Sequence, residues 1–290
     1  MVSKDQKKEP NTQRKLFFGL FVFPLLIAVG MAVLLATVVF LTKEDETPES
    51  LIKAIKTGAP SKRWQKAFEL SNELNREHGM IRSSGVMKEV IHILSDKDHY
   101  DAKTRGYMAM ALGRFRDPAA EAALIQALRE IGNEEEAELP IFLMWAIGNF
   151  ENPDSAKEVA PFLESKQSDL RKTAAYVLGV LGNKSFVSKL KRSLEDPIED
   201  VRWNAALSLA RLRDESGANV LLQMLDRNNL SQTQQLRDSQ IEPVMINAAK
   251  GFTLIRNPGA ISVLEVVAKS DPNLKVRQAA LAALTYQRES

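Results

Sequence analysis

Apolar residues recur along most of this chain at spacings of three and four, the period of one helix face, rather than alternating as in a strand. The pattern itself repeats. With Arg202 as the reference, one column reads Arg63, Arg105, Pro140, Arg171, Arg202, Met245 and Arg277. Seven residues on, it reads Leu70, Leu112, Ile147, Leu178, Leu209, Phe252 and Leu284, apolar throughout. Four residues on, it reads Ala67, Ala109, Met144, Ala175, Ala206, Ala249 and Leu281. Alanine dominates that column, which predicts a close helix–helix crossing. The reference residues lie 42, 35, 31, 31, 43 and 32 positions apart, periods that belong to a stacked array.

Before each of these helices runs a shorter apolar one, as at 187–194, 220–225 and 261–267. The turns between them carry Asp and Pro, as at Asp196-Pro197 and Asp271-Pro272. Asp there is expected to cap the next helix by accepting from its free N–H groups, and Pro is tolerated at a helix start. The fold expected is all-α: a right-handed α-α superhelical solenoid of about seven helix pairs over residues 48–288. Each pair buries its apolar face only on its neighbours.

Ahead of the solenoid, residues 16–41 form a 26-residue run without a charge, long enough to span a bilayer. It exceeds the apolar core of a cleaved signal peptide. Pro24 is a candidate kink, which helices in lipid tolerate. Residues 1–15 are expected to be a basic tail holding Lys4, Lys7, Lys8, Arg14 and Lys15, and residues 42–47 an acidic linker. The Lys/Arg bias places the amino terminus in the cytoplasm. The expected location is the bacterial inner membrane, single-pass, with the solenoid periplasmic. Ala28, Ala32 and Ala36 form a small-residue face that permits close packing of helices in lipid.

The repeating unit resembles the HEAT repeat, in particular the subfamily related to phycobilisome lyases. The residues that carry the resemblance are Asp196, Val201, Arg202, Ala206 and Leu209, then Asp271, Val276, Arg277 and Leu284. The resemblance implies a ladder of Asp and Arg between neighbouring units. Met245 and Pro140 interrupt the Arg column, so such a ladder is expected to break at two places. It also implies, as one functional alternative, a lyase-like auxiliary or chaperone.

Composition removes several classes of chemistry. With no Cys there is no disulfide, thiolate metal site or Cys nucleophile. Five of the 39 Lys/Arg and two of the 37 Asp/Glu lie in residues 1–42, leaving 34 bases and 35 acids in the rest. A near-neutral solenoid lacks the clustered charge that phosphate-backbone binding needs, so no nucleic acid partner is expected. The three histidines, His78, His92 and His99, lack zinc-ligand spacing, so no metal is expected. Gly-rich phosphate loops and a GxSxG elbow are missing, and the acid pairs Asp98/Asp101 and Glu199/Asp200 read as turn residues. The chain is expected to be no enzyme and to need no cofactor.

What remains is surface. Positions two, six and nine after the reference are expected to face the concave side. They read Tyr107, Ala111, Arg114; Phe142, Ala146, Asn149; Thr173, Val177, Val180; Asn204, Ser208, Arg211; and Asn247, Gly251, Leu254. The candidate partner groove is accordingly Tyr107, Arg114, Phe142, Asn149, Thr173, Asn204, Ser208, Arg211 and Asn247. Its mixture of small, polar and aromatic side chains suits a protein segment, so protein partners, membrane-associated, are expected. The sixth unit carries an insertion, 226–240, which reads either as a binding element or as a tolerated loop. On both readings, removing residues 228–239 is expected to leave the fold nearly intact. The last helix lacks a polar outer face. A membrane-anchored interaction scaffold is the leading expectation; a lyase-like auxiliary and a subunit of a larger membrane enzyme are the alternatives.

Overall fold

The computed structural model describes residues 18–42, 47–76, 83–131, 138–233 and 235–289. The expected basic tail, linker residues 43–46, His78 and the acidic turn at 134–136 lie outside the described residues. The chain divides into two units, Met1–Thr47 and Pro48–Ser290.

The first unit is one apolar helix, α1. It opens as a π-helical turn, Phe18–Val22, and continues as α-helix over Phe23–Thr42. The change falls beside Pro24, which has no N–H to give and whose ring crowds the carbonyl four residues back. Widening the preceding turn relieves that conflict. Over Phe18–Val38 the mean hydropathy is 2.6, so the helix is long and apolar enough to cross a membrane.

The second unit is a row of seven helix pairs, with no strand among the described residues. The first helices of the pairs are α2 (Pro48–Thr57), α4 (Ser84–Ser95), α6 (Pro118–Ile131), α8 (Ala156–Val159, flanked by 3-10 turns), α10 (Val187–Arg192), α12 (Ala218–Met224) and α14 (Ala260–Ser270). The second helices are α3 (Pro60–Arg76), α5 (Ala102–Leu112), α7 (Glu138–Gly148), α9 (Ser168–Leu181), α11 (Glu199–Arg211), α13 (Asp238–Gly251) and α15 (Leu274–Arg288). Each second helix carries one reference residue. The column seven residues on is buried in all seven pairs. The column four residues on is buried from Ala67 to Ala249. Leu281 departs from it: on α15 that face meets no further pair, and Leu281 is 57% exposed beside an equally exposed Leu274.

Second helices pack on one another more closely than first helices do, except where α11 meets α13. The tighter layer is the inner side of the row. Glycine sets that closeness. Eight positions after the reference, Gly113, Gly148 and Gly179 meet the next second helix at Ala146, Val177 and Ser208. A Cβ on Gly179 would lie 2.2 Å from Ser208 Oγ and 2.7 Å from its Cα. Four of these helices then stop in a left-handed residue eleven after the reference: Arg116, Glu151, Gly182 and Arg213. Such a residue turns the chain away from the helix axis and lets its amide satisfy a free carbonyl.

Two apolar cores fill the row. The larger runs from Leu51 to Leu212 and the smaller from Trp203 to Leu284. They meet at α11, whose Ala205 and Leu209 face the first and whose Trp203, Ala206 and Ala210 face the second.

Candidate partner-binding face

The reference arginines act locally first. Arg171 Nη1 donates to the carbonyls of Ser165 and Lys166, Arg202 to those of Asp196 and Pro197, and Arg277 to those of Asp271 and Pro272. Each thereby ties down the turn that leads into its own helix. Arg105 does the same for Leu94, and Arg63 for Gly58. The turn aspartates Asp196 and Asp271 are not the helix caps expected from their position. Asp196 accepts from the Ile198 amide two residues on, and Asp271 from Asn273, so they brace the turn itself. Their remaining capacity goes to a neighbouring unit. Arg171 grips Asp196 with the Nε–Nη2 edge of its guanidinium, at 2.6 and 2.9 Å. These hydrogen bonds hold the Asp196 carboxyl below its ordinary value and the Arg171 guanidinium above its own.

The expected break of the ladder at Met245 is repaired. Arg227, from the insertion, grips Asp271 at 2.9 and 3.0 Å and also reaches Asp238 at 2.8 Å. It supplies the guanidinium that the sixth reference position lacks. At the other interruption, Pro140, the link to the next unit runs between first helices: Arg129 on α6 grips Glu158 on α8. The insertion is therefore part of the fold. Leu230 within it is buried in the second core and Leu236 packs on that core. The expectation that residues 228–239 are dispensable is corrected on this ground.

The inner face is a grid. On the second helices, Thr173 of α9 excepted, the positions two before, then two, five and nine after the reference keep open surface and form a single helical stripe. In the second pair they are Lys103, Tyr107, Met110 and Arg114; in the third, Glu138, Phe142, Trp145 and Asn149; in the fifth, Asp200, Asn204, Leu207 and Arg211. The candidate groove residues divide accordingly. Tyr107, Arg114, Phe142, Asn149, Asn204, Arg211 and Asn247 retain open surface. Ser208 and Thr173 do not. Ser208 is buried against Gly179 and donates to the Ala175 carbonyl at 2.7 Å, while buried Thr173 donates to Asp169. The sixth position is buried: Ala146 and Val177 meet the glycines of neighbouring second helices, and Gly251 lies against Leu221 of α12 and Leu207 of α11. Its neighbour at the fifth position is the one that looks outward.

That fifth column holds what the sequence reading missed. Phe68 and Trp145 are 44% and 40% exposed, and Tyr176 is half-buried. Phe68 meets Tyr107 edge-on at 5.3 Å, and Tyr107 meets Phe142 at 5.4 Å. Trp145 tilts onto Tyr176 at 4.7 Å, and the Arg211 guanidinium lies 4.7 Å from the Tyr176 ring. Phe142 lies across Gly106, where a Cβ would come 2.3 Å from its ring. An aromatic strip thus crosses α3, α5, α7 and α9 and ends on a cation. Each ring pair contributes about 0.5–1.5 kcal/mol beyond its buried area, so the rings hold one another in place without a ligand. The signal was in the sequence: Phe68, Trp145 and Tyr176 share one column of the repeat.

The edges of the strip differ in charge. Two positions before the reference stand Glu138, Asp169 and Asp200 in three successive units; Lys172 bridges the last two at 2.9 and 3.8 Å. Nine after the reference stand Arg114 and Arg211, with Asn149 and Val180 between them. Lys103 falls on the acidic edge one unit earlier, 3.7 Å above the Trp64 ring.

A cavity lies elsewhere. It measures about 560 Å³, is lined by Leu222, Leu225, Val263, Val266 and Met245 with the Arg227–Asp271 pair, and lies between first helices α12 and α14. Smaller ones of about 370 and 110 Å³ occupy the corresponding gaps between α2 and α4 and between α8 and α10. They are the spaces that open where first helices diverge on the outer side, and none adjoins the aromatic strip. Among the described residues no group of three or more His, Cys, Asp or Glu is placed to hold a metal. His92 is exposed, and His99 pairs with Asp96 at 2.9 Å in an open turn. Ala28, Ala32 and Ala36 lie exposed along α1.

Comparison with known proteins agrees with this architecture. Residues 161–236 match the family described as HEAT repeats, and residues 104–130 match the PBS lyase HEAT-like repeat. No curated protein matches the chain in sequence. Among solved structures, the complex of CpcE and CpcF of phycocyanin lyase from Nostoc sp. PCC7120 is similar, with a TM-score of 0.55 at 15% identity. That match covers 85% of this chain and 96% of the other. An engineered protein matches with a TM-score of 0.46 at 16% identity, covering 84% and 98% of the two chains. A designed armadillo repeat protein gives 0.42 at 17%, covering 83% and 100%. At such identities the likeness is one of fold. From Pro48 onward this chain is an all-α solenoid of helix pairs, with HEAT-repeat sequence in its middle units.

Proposed function

We propose that the chain is a non-enzymatic scaffold, anchored in the bacterial inner membrane by α1, whose inner face holds a segment of a partner protein on the periplasmic side. The observation that carries this reading is the aromatic strip, which leaves Phe68 of the first pair and Trp145 of the third open to solvent at the same position of the repeat. Exposed aromatics fixed in a concave surface are what partner hot spots are made of. The anchor rests on the length and hydropathy of Phe18–Val38, and the orientation on the Lys/Arg bias of the sequence.

The test is capture. The full chain is extracted in detergent, crosslinked, and its partners identified by mass spectrometry, alongside a Trp145→Ala variant. The variant breaks one ring pair, so it is expected to melt only a few degrees lower and to stay folded, and to lose its partners at least tenfold. Undiminished capture would remove the strip from the binding site.

A second reading is a lyase-like auxiliary protein. The match of residues 104–130 and the likeness to the CpcE–CpcF complex favour it. Carried over to this chain, that likeness has the solenoid pairing with a second solenoid. Copurification of one helical-repeat chain, and visible absorbance from a bilin, would favour this reading over the scaffold.

A further inference from the structure

We propose that the row bends at one joint, where α13, α14 and α15 swing as a body against the pairs before them, closing the outer cavity between α12 and α14 while α11 and α13 part. Three observations along the joint carry this, and none depends on what the inner face binds.

The first is how the second helices meet. Earlier in the row backbones lie directly against glycine: Gly113 against the backbone of Ala146, and Gly179 against that of Ser208. On α11 the same column holds Ala210. The glycine that α13 brings to this joint, Gly251, meets the side-chain tips of Leu221 and Leu207 rather than backbone. Large side chains fill the space instead. Trp203 and Met224 come from one side and Met245 and Phe252 from the other, all within one core. They hold α11 and α13 apart, so this is the looser junction of the inner layer. A glycine seam fixes a backbone in one place, because close-packed atoms leave it no second position. Methionine has three rotatable bonds and repacks readily, so a layer containing Met224 and Met245 tolerates sliding that a glycine seam does not.

The second is how each side of the joint is fastened. Ser208 ties α11 to α9. Gly217 seats the start of α12 on α11, where a Cβ would come 2.7 Å from Ala206 Cα. Those two helices therefore travel with the first five pairs. Beyond the joint, α15 packs closely on both α13 and α14, so the three form one body. Packed bodies that swing or slide about a few fixed contacts are a common way for a protein to change shape.

The third is what crosses the joint. On the outer side the cavity leaves Val266 63% exposed, with Leu222 and Val263 also on its walls, so closure would bury apolar surface. Arg213 opposes closure. Just past α11, its Nη1 donates to the Leu254 carbonyl, just past α13, at 2.6 Å, and so holds the inner layer shut. Arg227 follows α12 and grips Asp271, which follows α14, so this pair joins the turn ends of the two first helices and serves as the pivot. The aromatic strip across α3 to α9 stays rigid while Asn247 moves relative to Arg211.

The chain has no Cys, so spin labels attach only where Cys is placed. Nitroxide pairs are put on exposed sites of the full chain in detergent micelles: Gln223→Cys with Lys269→Cys across the cavity, and Lys88→Cys with Ala122→Cys across α4 and α6 as the control. Electron paramagnetic resonance reads the distances, and each pair is expected to give one main distance. Arg213→Gln, an exposed change outside both cores, is expected to raise a second, shorter α12–α14 distance about three- to tenfold in population, the effect of one hydrogen bond. The control pair is expected to stay as it was. Val266→Trp in the same variant fills the mouth of the cavity and is expected to suppress the short distance. Circular dichroism checks that each variant is folded. An α12–α14 distance that ignores Arg213→Gln would overturn the joint. So would a control pair that shifts equally, since bending would then be spread along the row. A short distance that survives Val266→Trp would overturn closure of the cavity as the motion.

Discussion

Gly179 and Ser208 show how much one missing Cβ decides. Because Gly179 has no side chain, α11 approaches α9 closely enough for Ser208 to donate to the Ala175 carbonyl. The hydroxyl is then fully enclosed, which is why a polar residue in a column expected to line the groove is not surface at all. Replacing Gly179 with Ala would gain up to about 1 kcal/mol of helix propensity. It would also force a Cβ into contact with Ser208 backbone atoms, and overpacking of this kind costs about 1–3 kcal/mol. A net loss of up to about 2 kcal/mol is expected, read from urea unfolding as a lower midpoint at unchanged slope. A rise in stability would mean that the helices are free to part, and the close-packed inner layer would have to be abandoned.

At the scale of elements, the insertion in the sixth pair acts as a clasp. Its Arg227 occupies the role that the reference Arg plays elsewhere, and it reaches Asp271, whose side chain is only 3% exposed. The α11–α13 junction is the looser one among the second helices, and the clasp lies just beyond it, between the sixth and seventh pairs. Arg227→Gln would leave that carboxylate enclosed without its counter-charge. Breaking a buried pair from one side costs about 3 kcal/mol or more. The expected outcome is faster hydrogen exchange through α14 and α15, with α3 to α9 unaffected, since the first core does not depend on the clasp. Uniform acceleration along the whole row would show instead that the two cores unfold as one.

At the scale of the molecule, one chain joins two units that treat their apolar surface differently. The apolar side chains described along α1 are exposed, whereas the solenoid buries the apolar face of nearly every helix on its neighbours. A surface such as that of α1 is stable only in lipid or against other apolar surface. The chain is expected to stay in the membrane pellet through an alkaline carbonate wash, and a version lacking residues 1–42 to be released. Protease added to intact spheroplasts is expected to digest the solenoid; protection would reverse the orientation read from the flanking charges.

The sequence by itself determined the helical class, the seven pairs, their second helices and the apolar anchor-length run. These follow from periodicity, because helical spacing and a repeated Arg-led unit are written directly in residue order. Columns four and seven after the reference are apolar in the sequence, and both are buried except at Leu281, which is 57% exposed. Tertiary structure decided the rest. Whether the fifth or the sixth position faces outward depends on how far each helix rotates against the next, about 100° per residue, and glycine contacts between helices set that rotation. Whether the ladder breaks at Met245 depends on an arginine 18 positions earlier folding back to fill the gap, which no local pattern records. The aromatic strip and its oppositely charged edges arise only when successive units stack, because each ring lies about one unit away in sequence from the ring it touches.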